Sequence, residues 1–573
     1  MRHLYNLYTS TDGTHYMPDG GMLSTSTAEG AYYTFRAQTD FSKTWAEKHS
    51  VEALAGFEYR QTHYTSANSV LLGYDERSQT NNMGLANFGI YNDLEGATSA
   101  LGTDYPMYGA PSGNDFTSSD VLHRFYSLYF NGSYLYDGRY GASLSYRVDK
   151  TDLFGADPKF RGRPLWSVGA CWNMEKEPWL DDVHGLGALK LRASYGLTGN
   201  IDQSVSSYLT ATINVNEMNG MRVASLNTPP NEQLRWEKTA SLNIGADFSL
   251  FYGRINGSID YYRKNGSDLL TTTDVDPSTG WTSLTINNGK ALNTGVELQL
   301  NGDILPAPAR KKIGVSASLS LSYNKNEVTS VNHEATSGAE ALASHTLHKG
   351  YPIHSLFSYR FAGMKQVAGL SAFGWYDKDG NVHTADINTE EFTADDIVYS
   401  GSLDPKVVLS FSPEVKWQGF TLSALFAYYG GHVMRARGED WMSEGGQYGY
   451  HNFSEIQAVP SSYLNYWTSA SDGYVPNGYP GGINIIGNGT YADANVVKAD
   501  YMKLRSLMLS YDFPRKWCRH LSMESLTLRV QVNNLLTWTR NTLGIDPEAN
   551  NPVSGNTMLK TPRSYTMSVN VVF

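Results

Sequence analysis

Segment after segment of this chain alternates apolar and polar residues with a period of two, and no stretch stays apolar for long. Across residues 240–250, Ala240, Leu242, Ile244, Ala246, Phe248 and Leu250 share one face of an extended strand, and Ser241, Asn243, Gly245, Asp247 and Ser249 share the other. Across 313–324, Val315, Ala317, Leu319, Leu321 and Tyr323 oppose Ser316, Ser318, Ser320 and Ser322. Successive strand side chains point to opposite faces, so a row of serines reads as a wall facing water. The same rule holds at 140–149, 255–262, 421–429, 501–512 and 526–533. It holds again in the final TPRSYTMSVNVVF, where Tyr565, Met567, Val569, Val571 and Phe573 fall together and the chain stops on an aromatic. Helical periodicity is sustained nowhere.

A bilayer-crossing helix needs about 18–20 consecutive apolar residues. The chain has 573 residues, 41% of them hydrophobic and 13% aromatic, with 54 Gly and 39 Tyr. Its mean hydropathy is -0.39. Strands that are apolar on one side and wet on the other suit lipid only when closed into a barrel, since lipid offers the backbone no hydrogen-bond partner. A propeller or β-helix would carry a repeat of fixed period, and none is present. The expected fold is therefore all-β, a transmembrane antiparallel β-barrel. Cys171 and Cys518 give no disulfide framework and read as small strand or turn residues. The net charge of -11 argues against a nucleic-acid partner, which would need a basic face.

Connections alternate short and long. Short ones fall at 137–138, 252–253, 306–310 and 418–419, and long ones at 65–121, 266–289, 432–498 and 537–562. Barrels of this type keep tight turns on the periplasmic side and long loops outside the cell. The strand count is about 15 to 17. Up-and-down alternation fails between 354–364 and 406–417, so a strand is missed or over-assigned there. Trp236, Trp417 and Trp538 are placed in the interfacial aromatic belt. Arg147, Asp149, Asp247, Asp260, Arg529 and Gln531 fall on the polar faces and are the candidates for lining the lumen. In the long loops Tyr448, Tyr450, Tyr463, Tyr466, Trp467, Tyr474 and Tyr479 lie among Asn, Asp and Arg and are the candidates for ligand contact. Tyr565 and Phe573 read as a C-terminal assembly signal for the barrel assembly machinery.

Catalysis finds no foothold: HExxH, GxSxG and GxxxxGK[ST] are all missing, and no catalytic residue, cofactor or metal is assigned. His333, His345, His348 and His354 cluster in a polar connection and read as solvated loop histidines. Asp377, Asp379 and Asn381 in YDKDGN have some of the spacing of a calcium loop, but Gly380 is misplaced and the twelfth position holds no Glu, so a turn is expected.

Several blocks go beyond pattern. WSVGACWNMEKEPW (166–179), LRASYGLTGN (191–200), NEQLRWEKTASLNIGADF (231–248) and NNGKALNTGVELQL (287–300) resemble barrel segments of the SusC/RagA-type TonB-dependent outer-membrane transporters of Bacteroidetes. ADYMKLRSLMLSYDFP (499–514), VQVNNLLTWTRN (530–541) and the terminal strand do so as well, in the family's order. The resemblance implies a Gram-negative cell outer membrane, surrounding outer-membrane lipid, and a SusD-like surface lipoprotein as partner. It also implies a TonB complex acting through a plug, and a barrel of about 22 strands. No plug or export signal is recognisable before residue 31, so residues 31–573 are expected to be the C-terminal part of the barrel. Residues 1–30 are then a partial extracellular loop or the remnant of an upstream strand. The expected function is TonB-linked import of oligosaccharides or oligopeptides, and a passive porin-like channel is the alternative.

Overall fold

A computed structural model describes residues 8–9, 20–82, 98–99, 116–152, 162–200, 207–215, 221–276, 278, 280–281, 283–306, 313–331, 334–343, 346–367, 370–384, 392–436, 491–520 and 522–573. One antiparallel sheet of 15 strands dominates, and every strand pairs with its neighbours in sequence order. They are β1 (Gly21–Trp45), β2 (His49–Tyr74), β3 (Phe116–Tyr136), β4 (Tyr140–Thr151), β5 (Gly162–Asn173), β6 (Leu186–Asn200), β7 (Glu237–Leu250) and β8 (Ile255–Asp274). There follow β9 (Ser283–Leu305), β10 (Gly314–Ser330), β11 (Val407–Trp417), β12 (Phe420–Gly430), β13 (Tyr501–Asp512), β14 (Ser525–Thr539) and β15 (Ser564–Val572). Among the described residues, β1 and β15 are hydrogen-bonded on one side only.

Up and down strands alternate around this sheet, so the tight turns at 46–48, 137–139, 251–254 and 418–419 all lie at one end. Two of them, Asp137-Gly138 (φ 52 and 66) and Gln418-Gly419 (φ 50 and 93), put both central residues in the left-handed region. That is the turn whose twist matches that of paired strands. The strands outrun their sequence-based bounds at the long-loop end. β1 begins at Gly21 rather than residue 31, β2 continues to Tyr74, and β8 and β9 leave only 275–282 between them.

The faulty alternation has a simple cause. Ser355–Val367 is not a wall strand. It belongs to a separate four-stranded sheet, with Leu370–Tyr376, Val382–His383 and Ile397–Ser402, built inside the long β10–β11 connection. With that strand set aside, up and down alternate without exception. Tyr359, Trp375 and Phe392 form the core of this small sheet, and Ala492 joins it from the β12–β13 connection.

Large apolar side chains of the wall point outward: Leu144 is 45% exposed, Ile244 50% and Val569 59%. A water-soluble sandwich would bury them. Aromatic residues gather near both ends of the outward face. At the short-turn end Tyr140 stacks with Trp172 at 6.3 Å and Phe420 lies 4.4 Å from Tyr511. At the other end Tyr59 meets Tyr126 at 5.0 Å. On β3, Tyr136 and Tyr126 mark the two rings, separated by roughly ten residues, or about 25 Å along the normal at ~40° strand tilt. That matches the apolar height of an outer-membrane barrel.

Trp417 and Trp538 are exposed on this face, but Trp236 is not. It precedes β7, is 8% exposed, and packs with Leu234 and Leu270, so its assignment to the belt is corrected. Sequence alternation could not place it, because it lies outside any strand. We predict that Ile244→Arg, mid-band on β7, destabilises the barrel by about 2–4 kcal/mol. Urea unfolding in detergent or lipid would read this, and Ser241→Arg on the opposite face should cost far less.

Candidate functional site

The inward face is organised by ion pairs that bridge strands. Arg36 on β1 lies opposite Glu58 on β2, and its Nε donates to the Glu58 carboxylate at 2.9 Å. Across β3 the row continues with Ser127, which is paired in register with Glu58 and Asp149. Arg147 donates to Asp149 at 2.6 Å and to Ser127 Oγ at 2.8 Å, lies 3.9 Å from Glu58, and covers the Tyr129 ring at 5.7 Å. A second group centres on Arg192 of β6. Its Nε and Nη2 grip both oxygens of Asp247 at 2.9 and 3.0 Å, and Nη2 also donates to Asp260 at 2.8 Å. Charge-assisted, bidentate pairs of this kind are the strong ones.

Gly245 makes the second group possible. Arg192 and Asp260 sit on strands either side of β7, in register with Gly245. A Cβ at Gly245 would come within 2.3 Å of the Asp260 carboxylate and 3.0 Å of the Arg192 guanidinium. The missing side chain is the space in which the two charges meet.

Of the residues expected to face the lumen, Arg147, Asp149, Asp247 and Asp260 thus sit in these networks. Gln531 donates to Ser506 and Asn533, and Arg529 is exposed between Ser510 and Ser568. Sequence reasoning missed Arg36, Glu58 and Arg192. Their alternation places them on the polar face, but their partners come from other strands and only the register reveals them. The loop candidates Tyr448, Tyr450, Tyr463, Tyr466, Trp467, Tyr474 and Tyr479 lie outside the described residues. Tyr565 is exposed on β15, and Phe573 is exposed just beyond it.

A third network closes the long-loop end. Lys503 of β13 has a 4% exposed side chain, and it donates to Asp546 at 2.9 Å and to Glu548 at 2.7 Å. Glu548 also receives Arg505 and the Tyr501 hydroxyl, the latter at 2.8 Å. Burial works to raise the Glu548 carboxyl, but Arg505, Lys503 and Tyr501 together hold it down to about 2. The β14–β15 connection is therefore pinned over the barrel mouth by charge.

The polar connection after β10 carries no metal constellation among the described residues. His348 Nε2 contacts the Ala341 carbonyl at 2.9 Å, and His354 contacts Asp404 at 2.8 Å. His333 and His345 lie outside the described residues. Asp377 accepts the backbone N–H groups of Asp379 and Asn381 at 2.9 and 2.8 Å and contacts His383 at 3.0 Å, which makes it the cap of a turn. The His383 contact, with Asn381, holds the Asp377 carboxyl well below the usual carboxylate range.

Residues 3–535 match the family described as TonB dependent receptor-like, beta-barrel. The chain belongs to that family. It is 26% identical over 598 residues to TonB-dependent receptor P26 of Formosa agariphila, covering 99% of this chain and 56% of that protein. A 200-residue stretch is 32% identical to TonB-dependent receptor SusC of Bacteroides thetaiotaomicron, covering 33% of this chain and 19% of SusC. The RagAB peptide transporter structure superposes with TM-score 0.74 at 22% identity, over 97% of this chain and 57% of that one, and so shares the fold. The chain spans about half the length of the curated relatives it matches. Receptor barrels of this family are outer-membrane proteins, and the family is not an enzymatic one.

A carboxylate whose folded pKa is depressed stabilises the folded form above its unfolded value, about 4.3, and loses that contribution as pH falls through the folded value. With Glu548 held to about 2, the β14–β15 connection should loosen between roughly pH 4 and 2. Hydrogen exchange over residues 540–560 would detect this. Glu548→Gln should raise exchange at neutral pH and flatten its pH dependence.

Proposed function

We propose that this chain is the wall of an energy-coupled outer-membrane importer, in which TonB supplies the work and a SusD-like surface lipoprotein captures cargo over the long-loop end. The observation that carries this reading is the family match over residues 3–535. The family resemblance implies oligosaccharide or oligopeptide cargo, and the likeness to a structure described as a peptide transporter supports the latter, so the cargo class is a small soluble oligomer. The inward face suits either. Arg36, Arg147 and Arg192 are each paired with carboxylates, which leaves hydroxyls, amides, Tyr129 and Arg529 to meet a polar chain. Arg147, Asp149, Asp247, Asp260, Arg529 and Gln531 are proposed to line the route. Passive diffusion is the weaker reading, because the family couples to TonB.

Uptake of labelled oligosaccharides and oligopeptides by cells carrying the intact protein tests this. Import should fall at least about tenfold when TonB is deleted or the proton gradient is collapsed. Uptake that persists without TonB, together with steady conductance in planar bilayers, would establish a porin instead.

A further inference from the structure

At the long-loop end of β11, β12, β13 and β14 the structure contains a cavity of about 380 Å³ whose lining includes Lys406, Tyr428, His432, Lys498, Asp500 and Arg540. Register decides which side of the wall it opens on. Val407 pairs with Gly430, Tyr428 with Leu409, Tyr428 with Met502, and Met502 with Trp538. Residues directly opposite on neighbouring strands share a face. Trp538 and Met502 belong to the exposed apolar face of the wall, so Tyr428, Gly430 and Val407 belong to it too. The inward neighbours Tyr429, Tyr501 and Lys503 lie on the opposite face, beneath the charged network around Glu548. The wall residues of the lining therefore sit on the bilayer face, at the long-loop end beyond the outer aromatic ring where headgroups lie, and Tyr399, Ser400, Gly401 and Ser402 of the small sheet complete the cavity.

Its charge is one-sided. The single carboxylate among those lining residues, Asp500, is already occupied: Arg540 Nη1 donates to it at 2.8 Å and the Gly431 N–H at 2.7 Å. Lys406 and Lys498 make no ion pair among the described residues, and both are exposed. Deeper in the lining, His432 is 8% exposed and its Nδ1 has no hydrogen-bond partner. Two ammonium groups with no ion pair among the described residues, a guanidinium and a buried polar nitrogen thus line one cavity. We propose that this cavity binds the phosphorylated headgroup of an outer-leaflet glycolipid, with Lys406 and Lys498 gripping the phosphate and Tyr428 lying along the sugar or upper acyl region. Cations beside a membrane surface are drawn to anionic lipid, and a concave pocket adds selectivity for one headgroup. Cargo moving through the lumen does not reach this face, so the site stands apart from the transport reading.

The test uses the intact protein in detergent, with lipid A and its dephosphorylated form as probes and native mass spectrometry as readout. Phosphorylated lipid should be retained about tenfold more strongly than the dephosphorylated form, and Lys406→Gln with Lys498→Gln should remove that preference. Heat-dependent gel mobility reports whether the variant folds, and the lysine-to-arginine pair should keep the preference. If the glutamine variant fails to fold, the comparison of the two lipids on the wild-type protein decides alone. Equal retention of both lipids overturns the proposal. So does displacement of the lipid by millimolar inorganic phosphate, which would make this a site for a free anion.

Discussion

Lipid supplies no hydrogen bonds, and that one fact organises the molecule. Every peptide group inside the bilayer must find its partner within the sheet, which is why the 15 wall strands among the described residues pair neighbour to neighbour. Once the backbone is satisfied, side chains are sorted by face alone, and the alternation of period two follows. The same requirement acts on β1 and β15, whose outer edges demand a paired strand wherever they meet hydrocarbon.

The inward face meets the opposite problem. It is wet, yet it is held rigid by arginines that reach across strands to carboxylates. Arg192 spans β7 to gather Asp247 and Asp260, and it can do so because position 245 has no side chain. Exposed pairs contribute little each, but a bidentate guanidinium fixes the relative height of three strands. The interior thus carries fixed charge clusters, with Arg36, Arg147 and Arg192 each neutralised in place by carboxylates of the sheet.

Much of this was legible in the residues. The face of Ile244, the serine row of β10 and the aromatic end of β15 need only the two-residue period. The tight turns at 137–138 and 418–419 were equally plain. What failed did so for physical reasons. Ser355–Val367 alternates like a wall strand, but its partners lie in its own connection, and alternation carries no information about partners. Trp236 is aromatic like the belt residues but buried, since it lies outside any strand and packs on Leu234 and Leu270. Lys503 and Arg505 take their carboxylate partners from Asp546 and Glu548, about forty residues further along the chain. Long-range pairing of charge is set by three-dimensional register and leaves no local mark.

Arg435 is almost wholly enclosed in the β12–β13 connection and donates to the Phe357 carbonyl at 2.6 Å in the β10–β11 connection. Its own carbonyl accepts from Asn550 at 2.8 Å in the β14–β15 connection. One side chain and one peptide group therefore bolt three separate excursions of the chain into a common cap. A tug on any of them is shared by all, so the rim at this sector responds as a stiff plate, and whatever docks on it meets a single surface instead of three independent fingers.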